Sequence, residues 1–102
     1  MNLSNSQIKR LRAESQRLKL KPVVMIGQNG LSENVQNEID SALGHHELVK
    51  IRIPSLDKTT KMPLIDTICA HHRANLVQAI GHVIVIYRRN DEIDRFANLL
   101  KD

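Results

Sequence analysis

Two unbroken runs of branched apolar residues limit the folds open to this chain. Pro22-Val23-Val24-Met25-Ile26 is ended by Gly27, and Val83-Ile84-Val85-Ile86-Tyr87 follows the pair Gly81-His82. Each run is short, β-branched and free of polar residues, so each reads as a strand covered on both faces. Such strands need helices to cover them, and the segments between supply helical patterns. Ser4 and Gln7 form a capping-box pair, after which Ile8, Leu11 and Leu18 recur at helical spacing over residues 5–19. Ser32 is placed to cap a second helix in which Leu31, Val35, Ile39, Ala42 and Leu43 keep the period, with Gly44 as its left-handed terminator. Residues 62–73 predict a third helix, with Pro63 in its first turn and Leu64, Ile65, Ile68, Cys69 and His72 near one stripe.

Two further strands complete the set. Glu47 to Ile53 alternates, placing Val49, Ile51 and Ile53 on one face and Leu48, Lys50 and Arg52 on a face at least partly open to solvent. Pro54 closes this strand, and residues 55–61 read as a polar, charged loop. Asn75 to Ile80 reads as a strand joined to the last one through Gly81-His82, a pair suited to a type II′ hairpin. Residues 91–100 carry Ile93, Phe96, Ala97 and Leu100 at the spacing of a short acidic helix. The order α-β-α-β-α-β-β predicts an α+β chain of the two-layer α/β type, with one mixed four-stranded sheet and helices packed on it. At 102 residues it has the size of a single domain.

Composition narrows the function. Aromatic residues are 2% of the chain, with no Trp, which disfavours a surface built for base stacking. Cys69 is the only cysteine, which excludes an internal disulfide and suits a reducing cytoplasm. No apolar run is long enough to span a membrane, and the polar start MNLSNSQ does not read as a signal peptide. The net charge is +4 and the pI about 9.6, but the charge is unevenly placed. Residues 1–30 hold six cations against Glu14 alone, and the last twelve residues turn acidic. An uneven basic surface suits a polyanionic partner.

The junction Gly27-Gln28-Asn29-Gly30 is the strongest local motif. It follows a strand and delivers the chain to the start of a helix, where free N–H groups and the dipole favour a phosphate. A nucleic-acid backbone can be held by such a Gly-x-x-Gly loop, although two glycines also serve a plain turn. Neither a Walker A loop nor a dinucleotide fingerprint fits, since Leu31-Ser32 follow Gly30 and a third glycine is missing. His45-His46, His71-His72 and His82 never have the spacing of three or four that two ligands on one helix turn require, so no metal or cofactor is expected. His72 reads as a partly buried helix residue, and His45 and His46 as favourable charges at a helix end. No nucleophile–base pair stands out. Cys69 lies on an apolar stripe and reads as an inert thiol.

Three blocks resemble the CRM domain family, named for chloroplast RNA splicing and ribosome maturation. They are Leu20-Lys21-Pro22-Val23-Val24-Met25-Ile26-Gly27-Gln28-Asn29-Gly30-Leu31-Ser32, then Ala42-Leu43-Gly44-His45-His46-Glu47-Leu48-Val49-Lys50-Ile51, then Ile80-Gly81 with Val83 to Arg88. The resemblance covers about residues 4–90 and is closest to the bacterial single-domain YhbY type. It implies a CRM-type RNA-binding domain over 1–90, with 91–102 as an acidic helical tail of the same domain. It implies a fold similar to the C-terminal domain of translation initiation factor 3 plus an N-terminal helix. It also implies a cytoplasmic, non-catalytic RNA-binding protein associated with precursors of the large ribosomal subunit, with no membrane or small-molecule partner. The family's loop falls on Gly27, Gln28, Asn29 and Gly30, its strand lysine on Lys50 and its terminal arginine on Arg88. The second loop position, often basic in the family, is Gln28 here. Lys19, Lys21 and Arg52 join these as expected RNA contacts, if the strands bring them to one side. Two rival readings are a protein adaptor docking an acidic partner on the basic first helix, and an enzyme acting on a phosphorylated small molecule at the loop.

Overall fold

A computed structural model describes residues 2–101. The first helix, α1 (Asn5–Arg17), opens on the anticipated capping box: Ser4 Oγ accepts from the Gln7 amide at 3.1 Å, and Gln7 Oε1 accepts from the Ser4 amide at 2.8 Å. Its end is set by Lys19, at φ 52°. The Lys19 amide donates to the Gln16 carbonyl and the Leu20 amide to the Ser15 carbonyl, a Schellman closure made without glycine.

The chain then enters β1 (Pro22–Met25) and crosses through α2 (Glu33–His46) to β2 (Leu48–Arg52). Ser32 caps α2 as expected, accepting from the Val35 amide. Gly44 does not end that helix. The helix runs on to His46, and the left-handed residue is Glu47, at φ 63°. A buried carboxylate with strong partners holds that backbone, so no glycine is needed.

The third helix, α3 (Lys58–His72), starts four residues before the expected 62. Asp57 is its cap, accepting from the Thr60 amide at 2.9 Å, and this places Pro63 inside the helix rather than in its first turn. Arg73, at φ 53°, closes the helix by a second glycine-free Schellman pattern. Then β3 (Asn75–Ile80) and β4 (Val83–Tyr87) form the hairpin. Gly81 has φ 56° and His82 does not have positive φ, as a type II′ turn requires. The tail helix expected over 91–100 shrinks to α4 (Ala97–Leu100), because Asp94 at φ 40° breaks the preceding stretch.

The sheet order is β1-β2-β4-β3, with β1 parallel to β2 and both β2 and β3 antiparallel to β4. The chain is thus α+β with a mixed four-stranded sheet. One sheet face packs against α2 and α3 through Ile39, Leu43, Ile65 and Ile68, which meet Val49, Ile51, Ile84 and Ile86. The other face carries a second core, in which Leu11 of α1 and Phe96 of the tail meet Leu48, Val77, Val85 and Tyr87. This second layer lies against β3 and β4 and stops short of β1. The first strand is therefore not covered on both faces: Val23 and Met25 are 54% and 66% exposed, while Val24 and Ile26 are buried.

Candidate functional site

The loop Gly27–Gly30 leaves the sheet directly after the buried Ile26, whose amide donates to the Arg52 carbonyl. Its closing bond runs from the Gly30 amide to the Gly27 carbonyl at 3.0 Å, with Gln28 and Asn29 at the exposed tip. The two glycines differ in their reasons. Gly30 has φ +66°, which a side chain resists. Gly27 has no positive φ, and a Cβ there would meet nothing within 4 Å. The fold does not require Gly27 to be glycine, so its bare backbone is available to a ligand. The loop feeds α2, whose first turn carries Glu33 near the freed amides.

Cations line the uncovered face beside this loop. Met25 pairs with Arg52 and Pro22 with Lys50, so β2 presents exposed Arg52 next to the loop and half-buried Lys50 further along. Two residues along a strand place their Cα atoms about 6.6 Å apart on one face. Lys21 lies directly before β1 and lines one recess with Lys50, while Lys19 is exposed at the end of α1. Across the sheet, Met25, Arg52, Val83 and Ile80 stand in register, and Ile80 is 60% exposed. The fold therefore brings Lys21, Lys50 and Arg52 into one band along β1 and β2 that reaches the loop, with Lys19 two residues before it in the chain.

Arg88 is not in that band. It follows β4 at the opposite end of the sheet and turns to the α2–α3 side. Its Nη1 donates to Asp40 Oδ1 at 2.8 Å and to the His72 carbonyl at 3.2 Å, while Nη2 donates to the Asp40 carbonyl. That guanidinium holds the Asp40 carboxyl below the usual carboxylate range. It serves as a clamp between two helices. Lys61, which sequence reasoning passed over, reaches the hairpin turn and donates to the Gly81 carbonyl at 2.8 Å. Arg95 and His46 also approach Lys21 and Lys50 from other elements. Arg95 is positioned by the hydrogen bond its backbone N–H donates to the buried Glu47 Oε1, a contact spanning 48 residues that no local pattern announces.

The cations of α1 are mostly occupied. Arg10 donates to the Leu99 and Lys101 carbonyls, Arg12 to the Val77 carbonyl, and Arg17 makes a two-bond pair with Glu14. Burial pushes the Cys69 thiol up to about 11, so it stays protonated at neutral pH. Among the described residues, no three His, Cys, Asp or Glu side chains gather as a metal site, and no helix is long and apolar enough to cross a membrane.

The model of the CRS1/YhbY (CRM) domain family matches residues 3–88. A Haemophilus influenzae protein named an RNA-binding protein is 48% identical over 73 residues, covering 72% of this chain and 74% of that one. A Pseudomonas aeruginosa protein, named a probable RNA-binding protein, is 38% identical over 87 residues, covering 78% and 84%. The solution structure of a Staphylococcus aureus protein, described as a candidate RNA-binding protein, superposes with a TM-score of 0.75 at 34% identity, covering 87% of this chain and 91% of that one.

Proposed function

Because the chain belongs to the CRS1/YhbY (CRM) domain family, we propose that it is a non-catalytic RNA-binding protein acting on precursors of the large ribosomal subunit in the cytoplasm. One observation carries the reading: the loop with the bare Gly27 backbone continues into a band of cations, Arg52, Lys50 and Lys21, on an uncovered sheet face. Phosphates meet the loop amides and the start of α2, and Arg52, Lys50, Lys21 and Lys19 follow the backbone away from it. The names of the Haemophilus and Pseudomonas relatives support RNA as the partner. The adaptor reading through α1 is weakened, because Arg10, Arg12 and Arg17 already serve carbonyls and a carboxylate within the chain. The enzyme reading finds no support in Cys69, whose thiol stays protonated.

Salt titration of binding to a single-stranded RNA tests the mode of contact. Four phosphate contacts give a log–log slope of roughly −3, and binding that hardly weakens between low and physiological salt rejects it. Asn29→Asp adds a negative charge at the exposed loop tip, with little cost to the fold because an acid near a helix start is tolerated. It should weaken binding several-fold while the melting temperature holds, and Glu33→Gln should bind as well as the parent or better. If Asn29→Asp binds like the parent, the loop is only a turn. Sequencing of RNA crosslinked in cells tests the ribosomal part, which fails if the reads scatter over messenger RNAs.

A further inference from the structure

The uncovered face is not uniformly polar. Where α1 ends, a groove of about 570 Å³ opens between Leu18, the start of β1, β2 and the tail segment. Its size falls in the roughly 300–1,000 Å³ range of small-ligand sites. Its floor is apolar: Leu18, Leu20, Val23, Leu48 and Phe96. Leu18 and Val23 are 43% and 54% exposed, large values for branched residues on a folded surface. Its rim is cationic, with Lys21, Lys50 and Arg95 and with His46 beside them. Glu14 is the one carboxylate of the lining, and Arg17 neutralises it through bonds of 2.6 and 2.8 Å.

An apolar floor inside a cationic rim fits a ligand with a flat apolar body and an anionic backbone. From the groove the charges continue along β2, Lys50 then Arg52, toward the loop. Their Cα atoms stand about 6.6 Å apart along the strand and both side chains lie on the same face, so they can follow a backbone of repeated negative charges. We propose that this groove takes one unstacked base of a single-stranded RNA whose phosphates run along β1 and β2 to the Gly27–Gly30 loop. The proposal rests on the RNA-binding reading above. A base within a duplex is stacked and cannot enter such a recess, so the groove selects single-stranded segments. Aliphatic side chains, with Phe96 the one aromatic ring among them, take most of the part that aromatic platforms play elsewhere, in keeping with the scarcity of aromatic residues in this chain.

The test compares two labelled probes on the full-length chain: a uridine octamer and the same ribose-phosphate octamer without bases. The parent should bind the uridine octamer about fivefold tighter than the abasic one, an increment in the range of one modest base contact. Leu18→Ser with Val23→Ser should abolish that preference and leave affinity for the abasic octamer and its salt slope unchanged. Both positions are exposed, so the variant should fold, and the parent's own preference needs no variant. Equal binding of both octamers by the parent overturns the base pocket while leaving RNA binding intact, as does a variant that weakens both alike. Failure of the parent to bind either octamer at low salt overturns the RNA reading and the pocket together. If a peptide alternating Asp and Val binds the parent but not the variant, and the octamers bind alike, the groove belongs to a protein partner.

Discussion

His72 sits at the end of α3 with 4% of its surface exposed, donating from Nε2 to Gln36 Oε1 at 2.6 Å. Burial, then the neighbouring His71, lowers its pKa from 6.5, with Arg88 adding to the effect and Asp40 opposing it. A base with a depressed native pKa binds its proton more readily when unfolded. Stability is therefore full above 6.5 and is lost as pH falls through the lowered native value. Thermal melts between about pH 7.5 and about pH 5.5 should show a decline that His72→Gln flattens; an equal decline in that variant places the effect elsewhere. Glu47 is a second buried polar group, with no surface exposed. Its two carboxylate oxygens accept from the amides of Asn90 and Arg95 at 3.0 and 2.8 Å. Glu47→Gln turns one acceptor into a donor facing an N–H, which should cost about 1–3 kcal/mol in urea unfolding. A midpoint that does not move would show that the tail is held without this carboxylate.

At the scale of elements, the helix ends depart most from the sequence reading. Both α1 and α3 close on left-handed cations, Lys19 and Arg73, where glycine is usual. Arg73 is exposed, and its side chain makes no hydrogen bond or ion pair among the described residues. Arg73→Gly should therefore stabilise the chain by about 1 kcal/mol, raising the melting temperature by several degrees. No gain would mean that the added freedom of the unfolded glycine offsets the relieved strain. Strand β1 is the other instructive case. An unbroken apolar run does not say which face is covered, and here α1 lies across β3 and β4. The apolar outer side of β1, Val23 and Met25, is left in the open beside Lys50 and Arg52.

Across the whole molecule, the sheet carries two cores, and the second depends on the tail. Phe96 is 7% exposed and meets the Tyr87 ring edge-on at a centroid distance of 6.1 Å. The carbonyls of Leu99, Leu100 and Lys101 accept from Gln7 and Arg10 of α1, tying the two ends of the chain together. The match to the family model ends at residue 88, and the segment after it completes the hydrophobic layer over β4. Phe96→Ala should cost about 3 kcal/mol, and ending the chain after Asn90 should cost more, read as lost melting temperature by circular dichroism. A truncated chain as stable as the parent would show that α1 covers this face alone.

Local physics was legible in the residues. The caps at Ser4 and Ser32, the strand periods, the Gly81 turn and the strand–loop–helix junction at Gly27–Gly30 each depend on neighbours a few positions away. The element order and the mixed sheet follow from those signals, and the loop at the centre of the candidate site was readable for the same reason. The early start of α3 was hidden because Pro63, which sits inside the helix, imitates a first-turn proline. What the residues alone could not decide was the fate of each cation. Arg12 meets the Val77 carbonyl 65 residues away and Arg88 meets Asp40 48 residues away, so both are structural. Lys21, Lys50 and Arg52 have similar local surroundings and stay on the open face. The difference lies in where α1 docks, since one helix cannot cover the full width of a four-stranded sheet, and only tertiary packing sets which half remains bare.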